Sequence, residues 1–249
     1  MFPLRDDNPT LRRSVVIFLI VIINVLVWVI VQGLGTDPAI VRSVCSYGLI
    51  PGELLGSLPE GTRIPLGHSL SYVIGGTPHW ATLITHMFMH GGWFHIIGNM
   101  WFLWVFGDNV EDVMGRIRFV FFYLLCGLAA AGAQMLSSPS SPVPMVGASG
   151  AISGVMGAYA VLYPQAGVHV LLFLGIFIQR VILPAWLMLG YWFLLQFVGA
   201  LPSMAGSGGG VAFWAHIGGF AAGIIMLPLF IDRGKVAAHK ALMRRWRSR

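Results

Sequence analysis

Charge is what this chain has least of. Lysine, arginine, aspartate and glutamate make up 10% of its 249 residues, whereas a soluble domain carries about 25%. A water-soluble globular protein is thereby excluded, and with 57% hydrophobic residues the chain reads as an integral membrane protein. Cysteine is almost absent. Cys45 falls in a loop and Cys126 inside an apolar run, so neither a disulfide nor a thiol-based metal site is expected. No internal repeat is present, which argues against a transporter built from paired halves. No small-residue cleavage site follows the first apolar run, 14–31. That run also exceeds the roughly 7–15 residues of a signal-peptide core, so it is taken as a membrane span. The net charge of +6 would suggest nucleic acid in a soluble protein. Here the basic residues gather at the ends of apolar runs, where membrane orientation explains them and no nucleic-acid partner is needed.

What is there is a series of apolar runs divided by polar punctuation. An N-terminal segment, 1–13, is polar and basic; a membrane domain covers 14–231; a basic tail covers 232–249. Within the membrane domain the expected fold is an all-α bundle of six transmembrane helices. The first span is 14–31. The region 32–92 is rich in proline and glycine and forms a long first loop lying on or dipping into the membrane surface. The second span is roughly 93–106, ended by Asp108, Asn109, Glu111 and Asp112, with Arg116 or Arg118 as partners for these acids. The third is 119–136. The fourth runs from Ser149 to about Pro164 and is too short to cross a bilayer that needs about 20 residues. Its start should therefore lie below the membrane surface, in a cavity shielded by protein. The stretch 168–178 is apolar but short and is read as an interfacial piece before the fifth span, 182–201. The sixth is 211–231. Six spans put both termini on one side, together with Arg5, Arg12, Arg13, Arg116, Arg118, Arg180 and the basic tail. That side should be the cytoplasm, as for a multi-pass protein of a bacterial-type inner membrane.

Spans two, four and six then run in the same direction. His95 and Asn99 come early in span two, Ser149 opens span four, and His216 comes early in span six. At about 1.5 Å per residue all four lie at similar depth below the outer face. Polar groups within spans usually mark function. Ser149 follows a loop of serines and prolines that cannot be helical, so it sits at a helix N-terminus where free N–H groups favour an oxyanion. Gly150-x-x-x-Gly154 in span four and Gly219-x-x-x-Gly223 in span six allow close helix packing, which would bring His216 to Ser149. An imidazole beside a hydroxyl is a general base beside its nucleophile. No Asp or Glu lies in spans four or six, so the pair would be a dyad without a carboxylate. His95 and Asn99 are four apart, share a helical face, and could donate to a developing oxyanion together with the Ser149 N–H. The loop 202–210 is flexible in composition. Pro202, Gly206, Gly208, Gly209 and Gly210 within it are the expected substrate-access segment.

Three motifs together, Gly147-Ala148-Ser149-Gly150, Ala215-His216-Ile217-Gly218-Gly219 and His90-Gly91-Gly92-Trp93-Phe94-His95-Ile96-Ile97-Gly98-Asn99, resemble the rhomboid family of intramembrane serine proteases. The likeness extends from the first span to the sixth, in the family's order. It implies a Ser149 nucleophile, a His216 base, and an oxyanion hole of His95, Asn99 and the Ser149 N–H. It also implies a cofactor-free enzyme that cleaves transmembrane helices of other proteins, preferring small residues and helices that unwind easily. Some members carry a tyrosine four residues after the serine that packs on the catalytic histidine. Here that position is Ser153, which leaves the group that orients His216 unassigned.

Two other functions compete. A metal or haem membrane protein could use His86, His90, His95 and His216, and the His86/His90 spacing suits a helical ligand pair. That reading lacks a carboxylate and gives Ser149 no role. An inactive rhomboid-like binder of transmembrane clients usually lacks the serine or the histidine, and both are present here. His86 and His90 are read as structural residues of the first loop, and the basic tail as a topology anchor that touches anionic lipid.

Overall fold

The computed structural model describes residues 1–65, 71–75, 78–174, 177–204 and 211–247. In chain order they form β1 (Phe2–Asp6), α1 (Val15–Leu26) with a π-turn over Val27–Val31, α2 (Ala39–Tyr47), α3 (Pro51–Leu54), the hairpin β2 (Arg63–Pro65) and β3 (Ser71–Val73), and α4 (Thr82–Thr85). The long helices follow: α5 (Trp93–Met114), α6 (Arg116–Ser137) and α7 (Ser149–Leu162). A second hairpin, β4 (Gly167–Leu174) and β5 (Phe177–Pro184), leads into α8 (Ala185–Met204), α9 (Phe213–Phe230) and α10 (Arg233–Arg247). The protein is mostly helical and is an integral membrane protein. Among the described residues, Arg116–Ser137, Ala185–Pro202 and Phe213–Phe230 are long and apolar enough to cross a membrane, and Val15–Val31 and Ser149–Leu162 are shorter apolar helices.

The short helix α7 is the centre of the molecule. Its 14 residues rise about 21 Å, well under the roughly 30 Å of a hydrocarbon core. Every residue from Gly150 to Tyr159 is buried, packed among α5, α6 and α9. This is possible because the facing residues have almost no side chain. A Cβ placed on Gly219 of α9 would fall on the Gly150 carbonyl, and one on Gly223 would fall on the Gly154 carbonyl. Gly154 also faces Cys126 of α6, and Gly150 faces Ala130. Backbone therefore meets backbone along this seam, the close approach that small residues four apart permit.

Several expectations need correction. The chain is not all-α: β1, β4 and β5 form a three-stranded antiparallel sheet in the order β1-β4-β5, with Phe2 opposite Leu171 and Gly167 opposite Pro184. The stretch 168–178 is thus part of a hairpin, and the fifth helix begins at Ala185, not 182. The sheet ties the start of α8 to the middle of α5, where the Phe2 ring lies 5.5 Å from Trp101. The other end of α8 is left free of it.

Helix α5, where the second span was expected, also runs past the expected end, to Met114. The acids at 108–112 do not end it and do not pair with Arg116 or Arg118. Glu111 accepts the N–H groups of Val15, Val16 and Ile17 at 3.0, 3.1 and 3.0 Å, and Asp112 accepts that of Leu11. The three donors to Glu111 are the unsatisfied first N–H groups of α1, where a carboxylate is stabilised by the helix dipole. The real break is Gly115, whose φ of +82° lets the chain reverse into α6 within one residue.

Candidate active site

Ser149 stands at the first position of α7. The loop before it is held by backbone bonds, among them two close to Ser149. Leu49 and Met145 exchange N–H to carbonyl bonds of 2.9 and 2.7 Å, and the Gly147 N–H donates to the His86 carbonyl at 2.9 Å. Gly147 has φ +122°, a conformation that favours glycine. The turn lifts the Ser149 hydroxyl clear of its own helix and towards α9.

There it meets His216, in the first turn of α9. Nε2 of His216 lies 2.7 Å from Ser149 Oγ. The other ring nitrogen, Nδ1, lies 2.8 Å from Oε1 of Gln196 on α8. The Gln196 amide is itself fixed, because its Nε2 donates to the Trp192 carbonyl at 3.1 Å. The Trp192 ring lies 5.9 Å from the imidazole, and Phe213 meets it edge-on at 6.5 Å. Ser153 takes no part: it is buried and its hydroxyl donates to the Ser149 carbonyl at 2.6 Å. The hydrogen-bond neighbour of His216 Nδ1 therefore comes from α8 and not from α7.

His95 and Asn99 face the same place from α5. The Gly91 N–H donates to His95 Nδ1 at 3.2 Å, which leaves the hydrogen on Nε2. A Cβ at Gly147 would lie 2.6 Å from His95 Nε2 and 3.4 Å from Asn99 Nδ2. Only a glycine fits between them and the loop. Asn99 is buried and its Nδ2 has no partner among the described residues. An unpaired buried donor is costly, and Asn99 lines, together with Ser149, His216 and His95, a cavity of about 790 Å³. Phe94, 95% exposed, stands at the edge of this cavity. The distal half of α8, at Gly199 and Pro202, flanks it.

The remaining sequence candidates divide. Pro202 is in the last turn of α8, not in a loop, while Gly206, Gly208, Gly209 and Gly210 lie outside the described residues. His86 and His90 do not reach the cavity. His86 is buried and its Nδ1 donates to the Thr82 carbonyl at 2.8 Å; burial holds its pKa down to about 4. His90 is buried against the His95 ring at 5.2 Å, and burial holds its pKa down to about 3. Its backbone is clasped by Gln32, which donates to the His90 carbonyl at 2.7 Å and accepts its N–H at 2.8 Å. Among the described residues no three His, Cys, Asp or Glu side chains converge to hold a metal ion. Gln196 and Trp192 were missed by sequence reasoning. The signal was present: Gln196 is the one amide in an otherwise apolar helix, and a polar side chain inside a span calls for a role.

A family model described as the Rhomboid domain matches residues 77–233. The chain is 36% identical over 84 residues to the chloroplastic rhomboid-like protein 11 of Arabidopsis thaliana, covering 34% of this chain and 30% of that protein. It is 35% identical over 103 residues to the rhomboid protease GluP of Bacillus subtilis, covering 41% and 20% respectively. It is 39% identical over 87 residues to the mitochondrial rhomboid-like protein 6 of Arabidopsis thaliana, covering 34% and 27%. The chain thus spans a third or less of the length of these three relatives.

Proposed function

This chain belongs to the rhomboid family, and on that premise we propose that it is an intramembrane serine endopeptidase that cleaves transmembrane segments of other membrane proteins. The observation that carries this reading is the 2.7 Å contact between His216 Nε2 and Ser149 Oγ, with the side-chain nitrogens of His95 and Asn99 converging beside Gly147. In this mechanism His216 Nε2 takes the hydroxyl proton as Ser149 Oγ attacks the scissile carbonyl. Negative charge develops on the former carbonyl oxygen, and His95 Nε2–H, Asn99 Nδ2–H and the Ser149 N–H at the head of α7 receive it. His216 returns the proton to the departing amine. Water then enters from the cavity and, activated by the same imidazole, releases the acyl group from Ser149.

The same reading places α1, α5, α6, α7, α8 and α9 as the six spans, with both termini on the cytoplasmic side. The basic residues near the termini and near the α5–α6 junction support that orientation. Substrate enters past the end of α8 that lies away from the sheet. A serine-directed fluorophosphonate probe tests the assignment. Wild type is expected to label, and Ser149→Ala and His216→Ala to lose both labelling and cleavage of a model transmembrane substrate at unchanged melting temperature. The double variant should be no worse than either single one, because the pair acts as a unit. Near-normal turnover in either single variant would sink the assignment.

A further inference from the structure

The serine–histidine pair leaves one question of proton chemistry open. A neutral imidazole has two tautomers, and only the one with its hydrogen on Nδ1 leaves Nε2 free to accept a proton. In triads a carboxylate holds that hydrogen. Here the group within reach of Nδ1 is neutral. Gln196 Oε1 lies 2.8 Å away, and the amide cannot turn its NH₂ towards His216 without losing the 3.1 Å bond from Gln196 Nε2 to the Trp192 carbonyl. An amide carbonyl only accepts, so the hydrogen between the two residues belongs to Nδ1.

We propose that Gln196 is the positioning residue of the Ser149–His216 pair: its side-chain carbonyl holds the hydrogen on Nδ1 and keeps Nε2 free to accept the serine proton. The inference rests on the protease reading above. Its physical logic is that of the membrane. A carboxylate at this depth would have to be desolvated together with the imidazole, at heavy cost. An amide supplies orientation and tautomer without a charge. It stabilises the imidazolium less than a carboxylate does, which suits a base that must give its proton back to the leaving amine. The geometry is also rigid. Gln196 is 9% exposed, and the Trp192 ring beside the imidazole is one turn away on the same helix, so α8 presents both the acceptor and a wall. The ionisable group of the other described elements that acts on His216 is His95 of α5. From α7 the imidazole meets the Ser149 hydroxyl, and α6 offers alanines to the α9 face at Gly218.

The test uses the full chain in detergent or liposomes. It compares wild type with Ser149→Ala, Gln196→Met, Gln196→Leu and Gln196→Glu. Kinetics on a transmembrane substrate, fluorophosphonate labelling rate, melting temperature and the pH profile are measured for each. Gln196→Met keeps length and removes the acceptor. It should lower kcat about 10-fold, the scale of one lost buried hydrogen bond to the base, with KM unchanged and labelling falling in parallel. Gln196→Leu should do the same, which guards against a folding defect in one variant. Gln196→Glu restores an acceptor, should recover labelling, and should move the acid limb of kcat to higher pH, since a carboxylate favours the charged imidazole. Retention of kcat within two-fold in Gln196→Met and Gln196→Leu would overturn the inference. So would a loss confined to KM and melting temperature, or a Gln196→Glu variant that labels no faster than Gln196→Met. Absence of Ser149-dependent labelling in wild type is a different result: it overturns the protease reading itself.

Discussion

At the scale of single residues, Asn99 is the most exposed to test. Its Nδ2 is buried without a partner among the described residues, and it points at the place where His95 Nε2 also points. A resting protein keeps such a donor only if something there needs it. If that is the tetrahedral oxyanion, Asn99→Ala should lower kcat about 10²–10³-fold, the usual cost of one preorganised donor, and leave residual turnover through the remaining ones. The loss should appear in kcat and not in KM, because the bond strengthens only in the transition state. Asn99→Asp should be at least as damaging, since a carboxylate repels the oxyanion. A variant that raised only KM would place Asn99 in substrate binding instead.

Elements carry a different kind of prediction, because α7 and α9 touch through their backbones. Gly219 is three residues after His216, and a Cβ there would fall on the Gly150 carbonyl, which cannot swing aside as a side chain would. Gly219→Ala must therefore push the two helices apart at the level of the Ser149–His216 contact. The expected outcome is a loss of about 1–3 kcal/mol in stability from overpacking, with a larger fall in turnover as the hydrogen bond lengthens. Gly132→Ala on α6 and Gly190→Ala on α8 are matched controls, because a Cβ at either meets nothing within 4 Å. They should leave melting temperature and activity nearly unchanged. Equal behaviour of Gly219→Ala and the controls would show that the seam is looser than its geometry indicates.

For the whole molecule, pH acts on the scaffold outside the spans. Burial lowers His86 from 6.5 to about 4 and His90 from 6.5 to about 3. A base whose folded pKa is depressed binds fewer protons folded than unfolded, so its stabilisation is present above pH 6.5 and is lost as pH falls from there towards those values. Asp6 has the opposite sign. Burial raises it from 3.8 to about 6, so its contribution is full below pH 3.8 and is lost as pH rises through about 6. The melting temperature should fall from pH 7 to pH 4, more gently where Asp6 compensates. His86→Gln should flatten the fall, and Asp6→Asn should steepen it between pH 6 and 4. An acid slope identical in His86→Gln and wild type would remove His86 from the account. The prediction matters for function because the Gly147 N–H hangs on the His86 carbonyl, so acid unfolding of this loop should reach the Ser149 turn first.

Much of this protein was legible in its sequence, for a reason that belongs to membranes. An apolar run of given length fixes the depth of every residue in it, since rise per residue is constant and the bilayer supplies the ruler. The expectation that His95, Asn99, Ser149 and His216 share one depth could be formed without coordinates, and so could the seam of Gly150, Gly154, Gly219 and Gly223 that the packing bears out. Lateral arrangement could not. Which span faces Nδ1 of His216 depends on how α8 is rotated, and nothing local in an apolar helix specifies that, so Gln196 emerged only when α8 was packed against α9. The sheet was hidden for a similar reason. A short apolar run such as 168–178 has no decisive period, and its strand identity comes from pairing with residues 2–6, more than 160 positions earlier. The acids at 108–112 looked like the end of a helix because polarity in a span usually means water. Tertiary structure decided otherwise: the first N–H groups of α1 lie against Glu111, and donors brought from ninety-odd residues away satisfy a carboxylate that the local sequence would leave to solvent.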